Sequence, residues 1–229
     1  MPADPVFTPS LFQFLRSLRK NNDRDWFLAN KDAYERDVRD PALAFIGSFA
    51  APLRRISRHF VADPRPVGGS LFRIHRDVRF AKDKRPYKTH VGIHFRHESA
   101  KDAHAPGLYL HLEPGDVFAG VGVWRPDGAT LAEIREAIAS SPTAWRRAVG
   151  ARDFASCFEL SGESLARVPR GFDRDHPLAD DLRRKSYMAI TGFRVRDACA
   201  PDFPERLEKV WRASRPFLRF LTRSLDLPL

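Results

Sequence analysis

The chain has 229 residues, 43% of them hydrophobic and 30% charged, with a formal net charge of +10. That composition is too apolar for a disordered chain and sufficient for an ordinary core, and no run approaches the ~18 apolar residues a membrane span needs. The start, Met1-Pro2-Ala3-Asp4-Pro5, lacks the basic and apolar stretches of a signal peptide. With Cys157 and Cys199 far apart and outside any CxxC pair, the reading is a cytoplasmic protein with free thiols.

In chain order, Thr8-Pro9 reads as a cap followed by a first-turn proline. Leu11, Phe14, Leu15 and Leu18 then recur at helical spacing until Asn21-Asn22. A second helix is predicted from about Asp23 to Val38 and a third amphipathic segment from Pro41 to about Phe60, followed by a Pro/Gly loop to Gly69. The period then switches to alternation, and strands are predicted over 71–76, 89–97, 107–113 and 117–124. Residues 98–106 read as a charged connection, and Pro114-Gly115-Asp116 as the tight turn of an antiparallel hairpin. Thr130 is expected to cap a helix and Pro142 to open another. A short strand near 157–160, a Pro169-Arg170-Gly171 loop, a short helix over 178–185 and a strand over 187–193 follow. Residues 201–225 close the chain as one helix kinked at Pro216. No repeat or low-complexity linker divides the sequence, so 1–229 is read as a single domain.

Successive side chains on a strand point to opposite faces. One face therefore carries Val91, Ile93, Phe95, Leu108, Leu110, Leu112, Val117, Val121 and Val123. The other carries His90, Gly92, His94, Arg96, Tyr109, His111, Phe118, Gly120, Gly122 and Trp124. Glycine within a strand marks close approach of a ligand or of another backbone, so the second face reads either as a groove floor or as a solvated or helix-covered surface. His90 and His94 lie ~13 Å apart along a strand and cannot share an ion. A cross-strand set such as His94 with His111 would need a carboxylate. No metal site is assigned, and the cofactor is left open.

The densest signal lies at 73–88, where Arg73, Arg76, Arg79, Lys82, Lys84, Arg85 and Lys88 stand against Asp77 and Asp83. Half of the net charge sits in these sixteen residues. Arginine offers a planar fork matched to phosphate and carboxylate, and lysine a mobile point charge. The segment reads equally as a site for a small anionic ligand, with Asp77 or Asp83 as base, or as an internal ion-pair network. Phe80, Tyr87 and Trp124 among the cations keep a nucleic-acid interface open, although no RRM, KH, zinc-finger or helix-turn-helix pattern occurs. Neither GxSxG, GxGxxG nor GxxxxGK[ST] is present, which disfavours esterase-type triads, dinucleotide folds and P-loop NTPases.

Several blocks together carry a resemblance over nearly the whole chain. They are Asn21-Asn22-x-Arg24-x-Trp26-Phe27, the 73–88 motif running into Thr89 and Gly92, and Tyr109-x-His111-Leu112-x-Pro114-Gly115. Further on come Gly120-x-Gly122-x-Trp124-x-Pro126, Pro169-x-Gly171-Phe172 and His176-Pro177. By these the chain resembles the domain of unknown function 2461 family. The resemblance implies a soluble, intracellular α+β protein of one domain and transfers no catalytic residue.

The combined expectation is an α+β fold with a mainly antiparallel sheet. N-terminal helices and a C-terminal helix pack on one face, and the basic loop curls over the other. Its expected site has Asp77, Asp83 and His111 in catalytic roles. Arg73, Arg76, Arg79, Lys84, Lys88, His94, Tyr109 and Trp124 would bind a small phosphorylated or carboxylated ligand.

Overall fold

The computed structural model describes residues 4–99 and 105–229. Helices come first: α1 (Pro9–Lys20), α2 (Arg24–Ala29), α3 (Lys31–Tyr34), α4 (Asp40–Ser48) and α5 (Ala50–Ile56). Strands β1 (Phe60–Val61), β2 (Val91–His97), β3 (Gly107–Glu113) and β4 (Asp116–Val123) follow. Then come α6 (Gly128–Ser140), α7 (Pro142–Val149), α8 (Arg152–Cys157), β5 (Glu159–Ser161), α9 (Ala179–Leu182) and β6 (Tyr187–Phe193). Helices α10 (Val195–Ala198), α11 (Phe203–Ala213) and α12 (Arg215–Ser224) end the chain. The strands form one antiparallel sheet of order β1-β2-β3-β4-β6-β5. No helix among the described residues is long and apolar enough to cross a membrane.

Alternation decides the layering. Ile93, Phe95, Leu108, Leu110, Leu112 and Val123 are fully buried, and they meet Phe45, Phe49, Trp211 and Phe217 from the helices. Phe49 stacks on Phe95 at 5.6 Å, and Trp211 meets Phe95 edge-on at 5.7 Å, within the spacing at which aromatic pairs gain beyond simple area burial. The N- and C-terminal helices thus share one side of the sheet.

Local chemistry explains where the sequence expectations needed correction. The helix expected from Asp23 to Val38 breaks at Asn30, whose Nδ2 donates to the Trp26 carbonyl at 2.8 Å and closes α2. Residues 35–39 then widen into a π-turn ahead of Pro41, which has no N–H to donate. Asp127, not Thr130, caps α6, its carboxylate accepting from the Thr130 N–H at 2.8 Å. Pro216 lies in the first turn of a separate helix, so the C-terminal segment is two helices rather than one with a kink.

Segment 71–76 is not a strand. Leu71 makes a single bridge to Ile93, and His75 a single bridge to Tyr87. Around the second bridge the chain folds back on itself, with Arg76 N–H to Pro86 O and Lys88 N–H to Ile74 O, both 2.8 Å. Pro86 has no N–H, so the two-chain ladder cannot extend toward the tip. The result is an arm, residues 73–88, springing from the sheet edge. The connection marked at 98–106 falls largely on residues 100–104, outside the described residues.

Candidate functional site: the histidine face of the sheet

The expected basic loop divides in two. At its far end the charges bond one another. Asp77 accepts from Arg79 Nη2 at 2.7 Å, and Asp83 accepts from Arg85 Nη2 at 2.7 Å and Arg76 Nη1 at 2.8 Å. Lys84 Nζ donates to the Val78 carbonyl at 3.1 Å. These bonds, from Arg79 and its backbone N–H for Asp77 and from Arg85 above all for Asp83, hold both carboxyls below the usual carboxylate range. Phe80 stands at the tip almost wholly exposed.

The root of the arm faces the other way. Tyr87 stacks on Phe27 at 4.1 Å, and its backbone N–H and carbonyl both bond the Asn22 side chain at 3.0 Å, tying the arm to the helical layer. The second face is covered from this root. Phe72 and Lys88 reach it. Phe72 lies against His94 and Tyr109, and Lys88 Nζ sits 5.6 Å from the Phe72 ring while donating to the Arg73 carbonyl at 2.6 Å. Burial, with Arg73 beside it, pushes the Lys88 ammonium below its ordinary pKa.

The face itself is half-covered. His94 and His111 are buried, while His90, Tyr109 and Glu113 are partly so. A Cβ on Gly92 would fall 2.8 Å from the Tyr109 hydroxyl and 2.9 Å from the Phe72 ring. The chain's own aromatic rings fill that gap. Gly122, at φ +119, would meet the Tyr187 carbonyl at 2.1 Å, so its smallness serves a close backbone approach.

Register brings together a group that sequence reasoning did not assemble. Val91 pairs with Leu112 and Gly92 with His111, which sets His90 beside Glu113 and diagonal to His111. His90 and His111 lie ring to ring at 4.4 Å, and Phe118 stacks on the far side of His111 at 4.7 Å. His111 Nε2 is 3.2 Å from Glu113 Oε2, and His111 Nδ1 is 3.0 Å from the Tyr109 hydroxyl. The other carboxylate oxygen, Oε1, accepts from Arg19 at 2.7 Å and Thr89 at 2.8 Å. Among the described residues, His90, His111 and Glu113 bring three ligand atoms within 4.8 Å of one another. Part of the signal was in the sequence: His111 and Glu113 share one parity along their strand, but only the register sets His90 beside them, and Glu113 read as the end of a hairpin strand.

Electrostatics suits these groups to neutral-imidazole chemistry. Burial, reinforced by His111, lowers the His90 pKa to about 4, and burial with Arg96 nearby lowers that of His94 to about 4. His94 Nδ1 is buried without a hydrogen-bond partner among the described residues. Burial works to raise Glu113, but bonds from Thr89, His111 and Arg19 outweigh it and keep the carboxyl below its ordinary value. Burial pushes the Tyr109 phenol far up, so it stays protonated.

Of the residues proposed from sequence, His111, Tyr109, His94 and Lys88 gather around this face, with Arg73 at its margin. Arg76, Arg79, Lys84, Asp77 and Asp83 bond within the arm. Trp124 follows β4 at its opposite end, six residues and ~20 Å along the strand from Phe118, and carries Arg125 5.0 Å from its ring centroid.

A helical layer on one side of an antiparallel sheet, with a half-open polar face on the other, defines a two-layer α+β protein. The chain belongs to the family described as conserved hypothetical protein (DUF2461), whose profile matches residues 10–220. No curated protein and no solved structure matches it.

Proposed function

We propose that the histidine face binds a divalent transition-metal ion of the zinc class, and that this centre receives a small anionic ligand. The observation that carries the proposal is the convergence of His90, His111 and Glu113 within 4.8 Å. Two imidazoles and one carboxylate match the donor set of open zinc sites, which leave a fourth position for water or substrate. The supporting contacts also fit. Glu113 Oε1 is already held by Arg19 and Thr89, leaving Oε2 for the ion, and His111 Nδ1 has Tyr109 as outer partner. His90 is neutral at physiological pH, the state in which imidazole ligates.

Lys88, Arg73 and Arg19 supply positive charge around the centre, so an anionic ligand is favoured. A bound ion would polarise an oxygen of such a ligand or of water. Both cysteines are unpaired, which supports placement in the reducing cytoplasm. The ion pairs inside the arm already occupy its arginine forks, which disfavours its tip as the anion site.

The test is titration of metal-free protein with Co²⁺ and Zn²⁺, followed by visible absorption and calorimetry. The expected result is one ion per chain, lost in His111→Ala and in Glu113→Gln, with circular dichroism unchanged. Stoichiometric binding that survives both substitutions contradicts the proposal.

A further inference from the structure

Away from the histidine face, a cleft of about 430 Å³ opens between α6, α7 and α12. Its walls carry Arg147 from α7 and Arg219 and Arg223 from α12. Arg219 and Arg223 are four residues apart and so lie on one side of their helix. Some arginines elsewhere pair with carboxylates, as Arg55 with Glu208, Arg183 with Asp180 and Arg206 with Asp202. Arg147, Arg219 and Arg223 have no such carboxylate among the described residues, and no acidic side chain lines the cleft. Three like charges share one concavity, a repulsive arrangement that an anion would relieve.

The remaining walls suit a ligand. Ala144 and Ala148 keep the floor shallow, and Phe220 gives it an apolar side. Ser141, just ahead of the first turn of α7, makes no side-chain capping bond, which leaves its hydroxyl available beside the positive end of that helix. The volume lies in the range of small-molecule sites.

We infer that this cleft binds a small molecule bearing a di- or triphosphate chain. Each arginine fork can take two phosphate oxygens, so three forks match a chain of phosphates better than a single carboxylate. Phe220 would lie beside the organic part. The site is independent of the metal centre proposed above, because no residue is shared.

The test uses full-length protein in excess EDTA, so that any metal centre is empty, with tripolyphosphate, ATP, sulfate and a short single-stranded oligonucleotide as probes. Calorimetry is run at two salt concentrations on the wild type, on Arg219→Ala/Arg223→Ala and on His111→Ala. The inference expects tripolyphosphate and ATP to bind well above sulfate, and affinity to fall at least ~tenfold in the arginine variant, since each lost charge-assisted bond is worth more than ~1 kcal/mol. His111→Ala should bind as the wild type does. Because both arginines are exposed, the variant should melt with the wild type, and Arg147→Ala provides a second reading should it not. Equal affinity in the arginine variants overturns the inference, as does polyphosphate binding no tighter than sulfate. Binding of the oligonucleotide alone, with a steep salt dependence, overturns it in favour of a nucleic-acid surface.

Discussion

The arm at 73–88 and the histidine face of the sheet both concentrate polar side chains, but they resolve them in opposite ways. In the arm, arginine and aspartate lie two residues apart and neutralise each other in solvent, as in Asp77 with Arg79 and Asp83 with Arg85. On the face, strand pairing forces histidines together under Phe72 and Phe118, where burial keeps His90 and His94 uncharged. Charge density along a sequence therefore marks the arm, whereas chemical readiness lies where fewer polar groups share less water. Exposed ion pairs contribute little to stability, while buried polar groups are costly unless they are satisfied.

Acidification separates the two regions most strongly. His94 has a folded pKa of about 4 against ~6.5 for an unfolded histidine. Because the folded value is depressed, its contribution is complete above pH ~6.5 and is lost as pH falls toward 4, up to roughly 3 kcal/mol. The carboxylates of the arm, whose pKa values are also depressed, respond only below the ordinary carboxylate range near 4. Thermal melts between pH 7 and pH 4.5 should fall in the wild type and fall less steeply in His94→Gln, where His90 alone of the two remains. Equal slopes would erase the contrast.

Next in size, Gly92→Val should destabilise by about 1–3 kcal/mol, because its side chain must displace Tyr109 and Phe72. Urea unfolding measures this, and an unchanged midpoint would mean the face is looser than its contacts state. Tyr109→Phe is milder. It removes the outer partner of His111 and should weaken metal affinity about tenfold at little cost to the fold. Smallest of all, Asp83→Asn should leave the melting temperature close to that of the wild type, because Arg85, its main partner, is solvent-exposed. A clear drop would make the arm's ion pairs structural in a way their exposure does not suggest.

The same contrast explains what was legible in the sequence. Strand 107–113 was readable to the residue because Leu108, Leu110 and Leu112 alternate and Pro114-Gly115 bounds it, and the strand expected at about 187–193 is also present. Segment 71–76 alternates as well, yet Pro86 denies its partner chain the N–H needed for a ladder. The helical break at Asn30 depends on one side-chain bond to Trp26, which periodicity does not register. His111, His94 and Tyr109 were found by strand parity alone. Glu113 and Arg19 were missed because their roles depend on register and on a contact between residues 94 positions apart. The arm drew attention by composition, and its tip then proved to pair internally.

The most direct measurement is an anomalous difference map, collected at the zinc edge, from crystals of the protein equilibrated with stoichiometric Zn²⁺. The account expects one dominant peak bounded by His90 and His111 ring nitrogens and Glu113 Oε2, at ligand distances near 2.0–2.2 Å. A fully occupied peak elsewhere, with His111 still bonded to Glu113, would contradict it.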